Sequence, residues 1–218
     1  MDRHKQYHRT WGFTIVELMA VIVIIAILAT LVIVTYKDAT VHADNVRRID
    51  AAHQVQELLV LYAATFHHSP LIDVNGNPIS NGFCLTYDNV CSNYAGDTVT
   101  TSNTTLMSEL SKMGTPPQKV NAPAVTKGSG TIYHYGGLYF DSYYAPRTYN
   151  GKSAPALMMF WLNGEKQDCG LQDVVMDDPN ATGGNQFITS TTGYTYSVDN
   201  FSDDVGITEC WVSVPISS

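Results

Sequence analysis

From Phe13 to Val34 the chain reads FTIVELMAVIVIIAILATLVIV, 22 residues that carry a single charge, Glu17. At helical rise the run spans about 33 Å, which matches a hydrocarbon core of about 30 Å. A transmembrane helix is therefore expected over residues 13–36. Glu17 needs a reason to be there. A carboxylate inside an apolar span is costly even on lenient insertion scales, so such residues carry a partner or a function.

Arg3, Lys5 and Arg9 precede the run against Asp2 alone, whereas Lys37, Arg47 and Arg48 beyond it are balanced by Asp38, Asp44 and Asp50. The positive-inside bias predicts a cytoplasmic N-terminus and an exported remainder, hence a single-pass membrane protein. An ordinary signal peptide has an apolar core of about 7–15 residues ending at a small-x-small cleavage site. This run is longer and holds an acid. A plain anchor accounts for length and orientation but leaves Gly12 and Glu17 unexplained.

All four cysteines, Cys84, Cys91, Cys169 and Cys210, follow the apolar run. None has the Cys-x-x-Cys spacing of a zinc or thioredoxin-like centre. On an exported chain two disulfides are expected, and Cys84–Cys91 with Cys169–Cys210 is the most economical of the three connectivities. In the chain-entropy model these loops would contribute roughly 2.5 and about 4 kcal/mol. Buried free thiols are the alternative. Residues 51–218 hold six Lys/Arg against fifteen Asp/Glu. Binding to nucleic-acid phosphates needs the opposite balance, so direct DNA binding by this chain is not expected.

The string Gly12-Phe13-Thr14-Ile15-Val16-Glu17-Leu18, behind a short basic leader and ahead of an unbroken apolar stretch, resembles the class III signal of type IV pilins and type II secretion pseudopilins. The likeness covers residues 3–36 by motif and the remainder by architecture. It implies that a membrane-embedded prepilin peptidase removes residues 1–12 by cutting after Gly12 and then N-methylates Phe13. It also implies a lollipop-like α+β fold, with a long N-terminal helix packed on an antiparallel β-sheet head.

The chemistry of each element supports that reading. Glycine leaves an unhindered backbone at the cleavage point. Cleavage would free an α-amino group on Phe13, positively charged at neutral pH. Glu17 would then have a counterion, which the resemblance places on a neighbouring subunit in a filament. A paired charge is tolerated in a low-dielectric core where an unpaired one is not, so the pair would reward one stagger between packed helices. The competing explanation is that Glu17 snorkels to the headgroups.

No Gly or Pro occurs from Phe13 to Ser69, and Pro70 follows. One continuous helix is expected, its second part (37–69) amphipathic, with Val46, Ile49, Leu59, Tyr62 and Phe66 facing inward and Asn45, Arg48, Gln54 and Glu57 facing away. Residues 70–130 form an αβ-loop region rich in turn formers, with a short helix at Leu106–Met113 and a hairpin turn at Asn75-Gly76. Residues 131–218 form the antiparallel sheet and the disulfide-bounded C-terminal region. Strands are expected at Thr131–Tyr144, Ala156–Gly164, Tyr194–Asp199 and Ile207–Ile216.

Weaker site readings stand beside their bland alternatives. Asp73, Asn75 and Asn77 begin like a calcium loop, but Pro78 and Cys84 occupy the positions that need glycine and a bidentate acid. Asp177, Asp178, Asp203 and Asp204 are calcium candidates in the region where related pseudopilins bind calcium, with a solvated loop the alternative. Tyr133, Tyr135, Tyr139, Tyr143 and Tyr144 would make an adhesive face, or one side of a packed sheet. His67 and His68 suggest a metal pair or a complement to the helix dipole. Sequons stand at Asn103, Asn180 and Asn200.

The function expected is structural: a pilin that polymerises with itself into a helical surface filament for adhesion, motility or DNA uptake. Its partners would be the peptidase, minor pilins and an inner-membrane assembly platform, with the membrane holding it before assembly and the cell surface after. A type II secretion pseudopilin is the first alternative. An exported enzyme or binding domain on an uncleaved anchor is the second, but nucleophile-elbow, zincin and phosphate-loop motifs are missing, so neither enzymatic activity nor a cofactor is expected.

Overall fold

The computed structural model of the chain describes residues 12–71, 83–86, 90–92, 98–100, 104–118, 124–126, 132–134, 137–141, 148–149, 152–153, 157–180, 186–195 and 206–214. Contacts divide the chain into two units, Met1–Val41 and His42–Ser218. One helix, α1 (Ile15–Phe66), begins in the first and ends in the second. It ends at Phe66, three residues short of the expected Ser69: His67 takes a left-handed φ of 56° just past the last helical residue, and Pro70 follows. One helix near the N-terminus is thus long and apolar enough to cross a membrane.

The second unit is α+β. In chain order its elements after α1 are β1 (Phe83–Cys84), β2 (Val90–Ser92), β3 (Thr98–Thr100), α2 (Thr104–Leu110), β4 (Ala124–Thr126), β5 (Ile132–His134), β6 (Tyr139–Asp141), β7 (Thr148–Tyr149), β8 (Lys152–Ser153), β9 (Leu157–Asn163), β10 (Val175–Asp177), β11 (Gln186–Thr189) and β12 (Ile207–Ser213). The principal sheet runs β1-β6-β9-β12 and is antiparallel throughout. Its centre is the β9/β12 pair, in register from Leu157↔Ser213 to Asn163↔Ile207.

The run LMMFWLN of β9 is apolar at almost every position because both of its faces are buried. Met158, Phe160 and Leu162 join Ala52, Val55 and Leu59 of α1 and Leu106 and Leu110 of α2 in the main core. Met159 and Trp161 pack on the other face with Tyr139, Ile207 and the Cys84–Cys91 pair. A second sheet, β10-β11-β7-β8, pairs β11 with β7 in parallel, so the head is not wholly antiparallel as expected.

Several expected boundaries shift. The stretch Thr131–Tyr144 is not one strand: β5 pairs with β4 and β6 joins the principal sheet, the chain turning at Gly137 with φ 70°. At the expected strand Tyr194–Asp199, Tyr194 and Thr195 are outside regular structure, and Thr195 instead dresses the outer edge of β12. Its N–H donates to Glu209 O (3.2 Å) and its hydroxyl oxygen accepts from Trp211 N (2.7 Å). The short helix ends at Leu110, and Ser111–Met113 form a turn. The Asn75-Gly76 turn lies outside the described residues.

The inward face of the amphipathic part also differs. Asn45 and Arg48 are buried, whereas Val46 and Phe66 are exposed. The buried face includes Asn45, Arg48, Ala52, Val55, Leu59 and Tyr62, spaced alternately by three and four residues. Asn45 is drawn inward because its carboxamide matches a peptide edge on β9: Nδ2 donates to Asn163 O and Oδ1 accepts from Asn163 N, both at 2.8 Å. Arg48 donates to the same Oδ1 at 3.0 Å. Burial pulls the Arg48 guanidinium below its usual pKa, and nearby Asp44 opposes that shift.

Candidate functional site

The start of α1 gathers the residues to which the sequence points. A Cβ added at Gly12 would meet nothing within 4 Å, so among the described residues nothing crowds that side of the backbone. Phe13 is 82% exposed. Thr14 is the N-cap residue: its carbonyl accepts from Leu18 N at 3.2 Å, closing the first helical turn.

Thr14 and Glu17 form a reciprocal pair. Glu17 N donates to Thr14 Oγ1 at 3.3 Å, and Glu17 Oε2 accepts from Thr14 N at 2.9 Å and from Thr14 Oγ1 at 2.8 Å. This is a capping box, in which two orphan N–H groups of the helix start are satisfied by side chains. The carboxylate also sits at the positive end of the helix dipole. Among the described residues it has no ion pair. Sequence reasoning missed Thr14, although Thr-x-x-Glu ahead of an apolar run is the standard signature of this cap. The isolated charge had drawn attention to an ionic partner instead.

Beyond the cap, the large apolar side chains from Ile15 to Ile33 are all exposed, and the most apolar window of the helix has no residue buried within the chain. Taking one Ile or Leu side chain out of water is worth roughly 1.5–3 kcal/mol, so a surface of this extent requires lipid or other protein. Thr30, the polar residue in mid-run, turns its hydroxyl to Ile27 O at 2.7 Å and so adds no unmet donor.

The head is pinned by two disulfides. Cys84 is joined to Cys91 and Cys169 to Cys210, the economical connectivity. Next to Cys169, Gly170 holds φ 67° and presses on α1: a Cβ there would stand 2.8 Å from Ile49 Cγ2. At the far end of α1, Tyr62 donates to Glu109 Oε2 at 2.7 Å, and Lys112 binds the same carboxylate at 2.6 Å while lying 5.8 Å from the Phe66 ring centre. Burial and the Glu109 carboxylate push the Tyr62 phenol up to about 12. Lys112 and then Tyr62 hold Glu109 below the usual carboxylate value.

Other expected site residues are dispersed. Tyr139 is buried under the Cys84–Cys91 pair and is not part of an exposed aromatic face, because on β6 it points to the second core. Tyr133 lies on β5 in the separate β4–β5 pair; Tyr135, Tyr143 and Tyr144 lie outside the described residues. His68 approaches Ser69 O with Nδ1 and packs edge-on to Tyr62, while His67 forms the helix stop. Asp177 is on β10, and Asp178 accepts from Asn180 N in the turn after it. Asp73, Asp203, Asp204, Asn103 and Asn200 lie outside the described residues. Among the described residues no group of three His, Cys, Asp or Glu is placed to hold a metal ion. In comparisons with known proteins the chain matches no family model, no curated protein and no solved structure.

Proposed function

We propose that this chain is a pilin, the structural subunit of a type IV surface filament, cut after Gly12 and assembled through α1. One observation carries the reading: an exposed Phe13 directly after Gly12 leads into a capped helix whose large apolar side chains are all exposed from Ile15 to Ile33. Before assembly that surface lies in the membrane, with the basic leader in the cytoplasm. Once extracted, it is stable only among copies of itself, and the hydrophobic effect drives polymerisation.

Glu17 has two roles in this reading. Within one chain it caps the helix through Oε2. In the filament its second oxygen takes the α-amino group of a cleaved neighbour, so cap and counterion coexist. The disulfide-pinned head is the part that faces solvent and carries contacts with surfaces. The test is to shear filaments from cells expressing the chain and identify their main protein. The reading requires this chain in the sheared polymer; a chain found only as a monomer in the membrane fraction refutes it.

A further inference from the structure

The outward face of α1 in the head has no assigned role. It presents Val46, Arg47, Asp50, His53, Glu57, Val60 and Leu61. Val46, Val60 and Leu61 are 41%, 48% and 49% exposed, and the side chains of Arg47, His53 and Glu57 are 70%, 56% and 69% exposed. Apolar groups therefore flank a charged belt, on the side of the helix opposite the sheet.

The order of charges along the belt decides what fits it. Two parallel copies with no offset oppose Arg47 to Arg47, Asp50 to Asp50 and Glu57 to Glu57, which is repulsive at every charge. An offset of about four residues, roughly 6 Å at helical rise, removes all three clashes. His53 of one copy is then level with Glu57 of the next, Arg47 is within one residue of Asp50, Val60 meets Ala64, and Asp50 and Glu57 face the neutral Gln54 and Leu61. Counted in residues, this is also the offset between Phe13 and Glu17. Copies anchored in one bilayer by residues 13–34 must run parallel, which excludes antiparallel pairing.

We propose that the outward face of α1 from Val46 to Leu61 docks a second, parallel copy of the same chain offset by about one helical turn, with Arg47 of one copy against Asp50 of the other. This rests on the polymer reading above and adds a head-level contact to it. The bland alternative is that these charges serve only their own helix, as the Arg47–Asp44 and His53–Glu57 pairs do at 3.4 Å each.

Co-expression separates the two. Full-length Arg47→Asp and Asp50→Arg chains are made singly and together, and sheared or sedimented polymer is quantified by mass spectrometry. Each variant alone is expected to lower polymer yield by roughly tenfold or more, because like charges then face each other at every contact. Expressed together they are expected to recover near-normal yield as a mixed polymer, since an acid of one chain meets a base of the other. The Arg47–Asp44 pair persists in the Asp50→Arg chain and is lost in the Arg47→Asp chain whether the two are made singly or together, so a helix-only role gives no recovery on mixing. Normal yield from either variant alone, or no recovery on mixing, overturns the docking face while leaving the filament reading intact. A wild-type chain that forms no polymer overturns both.

Discussion

The carboxamide of Asn45 completes the peptide edge of Asn163, donating to its carbonyl and accepting from its N–H at 2.8 Å each, across 118 positions of sequence. Among the described residues β6 pairs with β9 from Leu157 to Met159, and beyond that pairing the helix side chain takes the place of a strand at Asn163. Asn45 thus fixes how α1 is rotated on the sheet.

Replacing Asn45 with Leu, similar in size, leaves the half-buried N–H and carbonyl of Asn163 without this partner and removes one acceptor of Arg48. Each such group costs about 1–3 kcal/mol, so a loss of roughly 2–5 kcal/mol is expected. Denaturant unfolding of the detergent-solubilised chain, followed by tryptophan fluorescence, measures it. A loss below about 1 kcal/mol would show that the pairing contributes little.

Gly170 is expected to tolerate no side chain. Gly170→Ala forces an L-residue into left-handed backbone and drives a methyl group into Ile49, each at about 1–3 kcal/mol. The second cost should be relieved in the Gly170→Ala/Ile49→Ala double variant. The unfolding free energies of the two single variants and the double close this cycle; strict additivity would remove the contact as the cause.

At the end of α1 the sign of the pH dependence follows from Tyr62 and Glu109. The folded phenol is raised to about 12, so its contribution is complete below the ordinary tyrosine value near 10 and is lost as pH rises from there towards 12. Glu109 is lowered, so its contribution is present above the ordinary carboxylate value and is lost as pH falls through the depressed one. Thermal unfolding of Tyr62→Phe should lie below wild type at neutral pH and converge with it at high pH. A constant difference across pH 8–12 would contradict the assignment.

Thr14→Val keeps the shape at the helix start and removes the hydroxyl. Loss of an N-cap costs about 1 kcal/mol, so amide exchange at Glu17 and Leu18 in micelles should quicken by roughly fivefold. Unchanged exchange would mean that the capping box does not hold the first turn.

How much of this could be read beforehand depends on the range of the forces. The span of α1 followed from an absence of Gly and Pro together with a terminal Pro70, both local signals. β9 and β12 followed from apolar runs, and the disulfide pairing from economy of loops. The inward turn of Asn45 and Arg48 was not legible, because polar residues point outward unless a distant group, here the Asn163 peptide, compensates for their burial. The split between β5 and β6 at Gly137 and the parallel β11/β7 pairing are likewise tertiary outcomes. The capping box was legible in Thr14-x-x-Glu17; a charge in an apolar run obscured it.

The central claim is that this chain is cut between Gly12 and Phe13 to release a filament subunit. Mass spectrometry of the N-terminal peptide, taken from sheared filaments and from the membrane fraction, tests it most directly. The account requires a polymer whose chains begin at Phe13 and carry one added methyl group on the terminal nitrogen. Filament chains that retain Met1, or that begin at any residue other than Phe13, would contradict it.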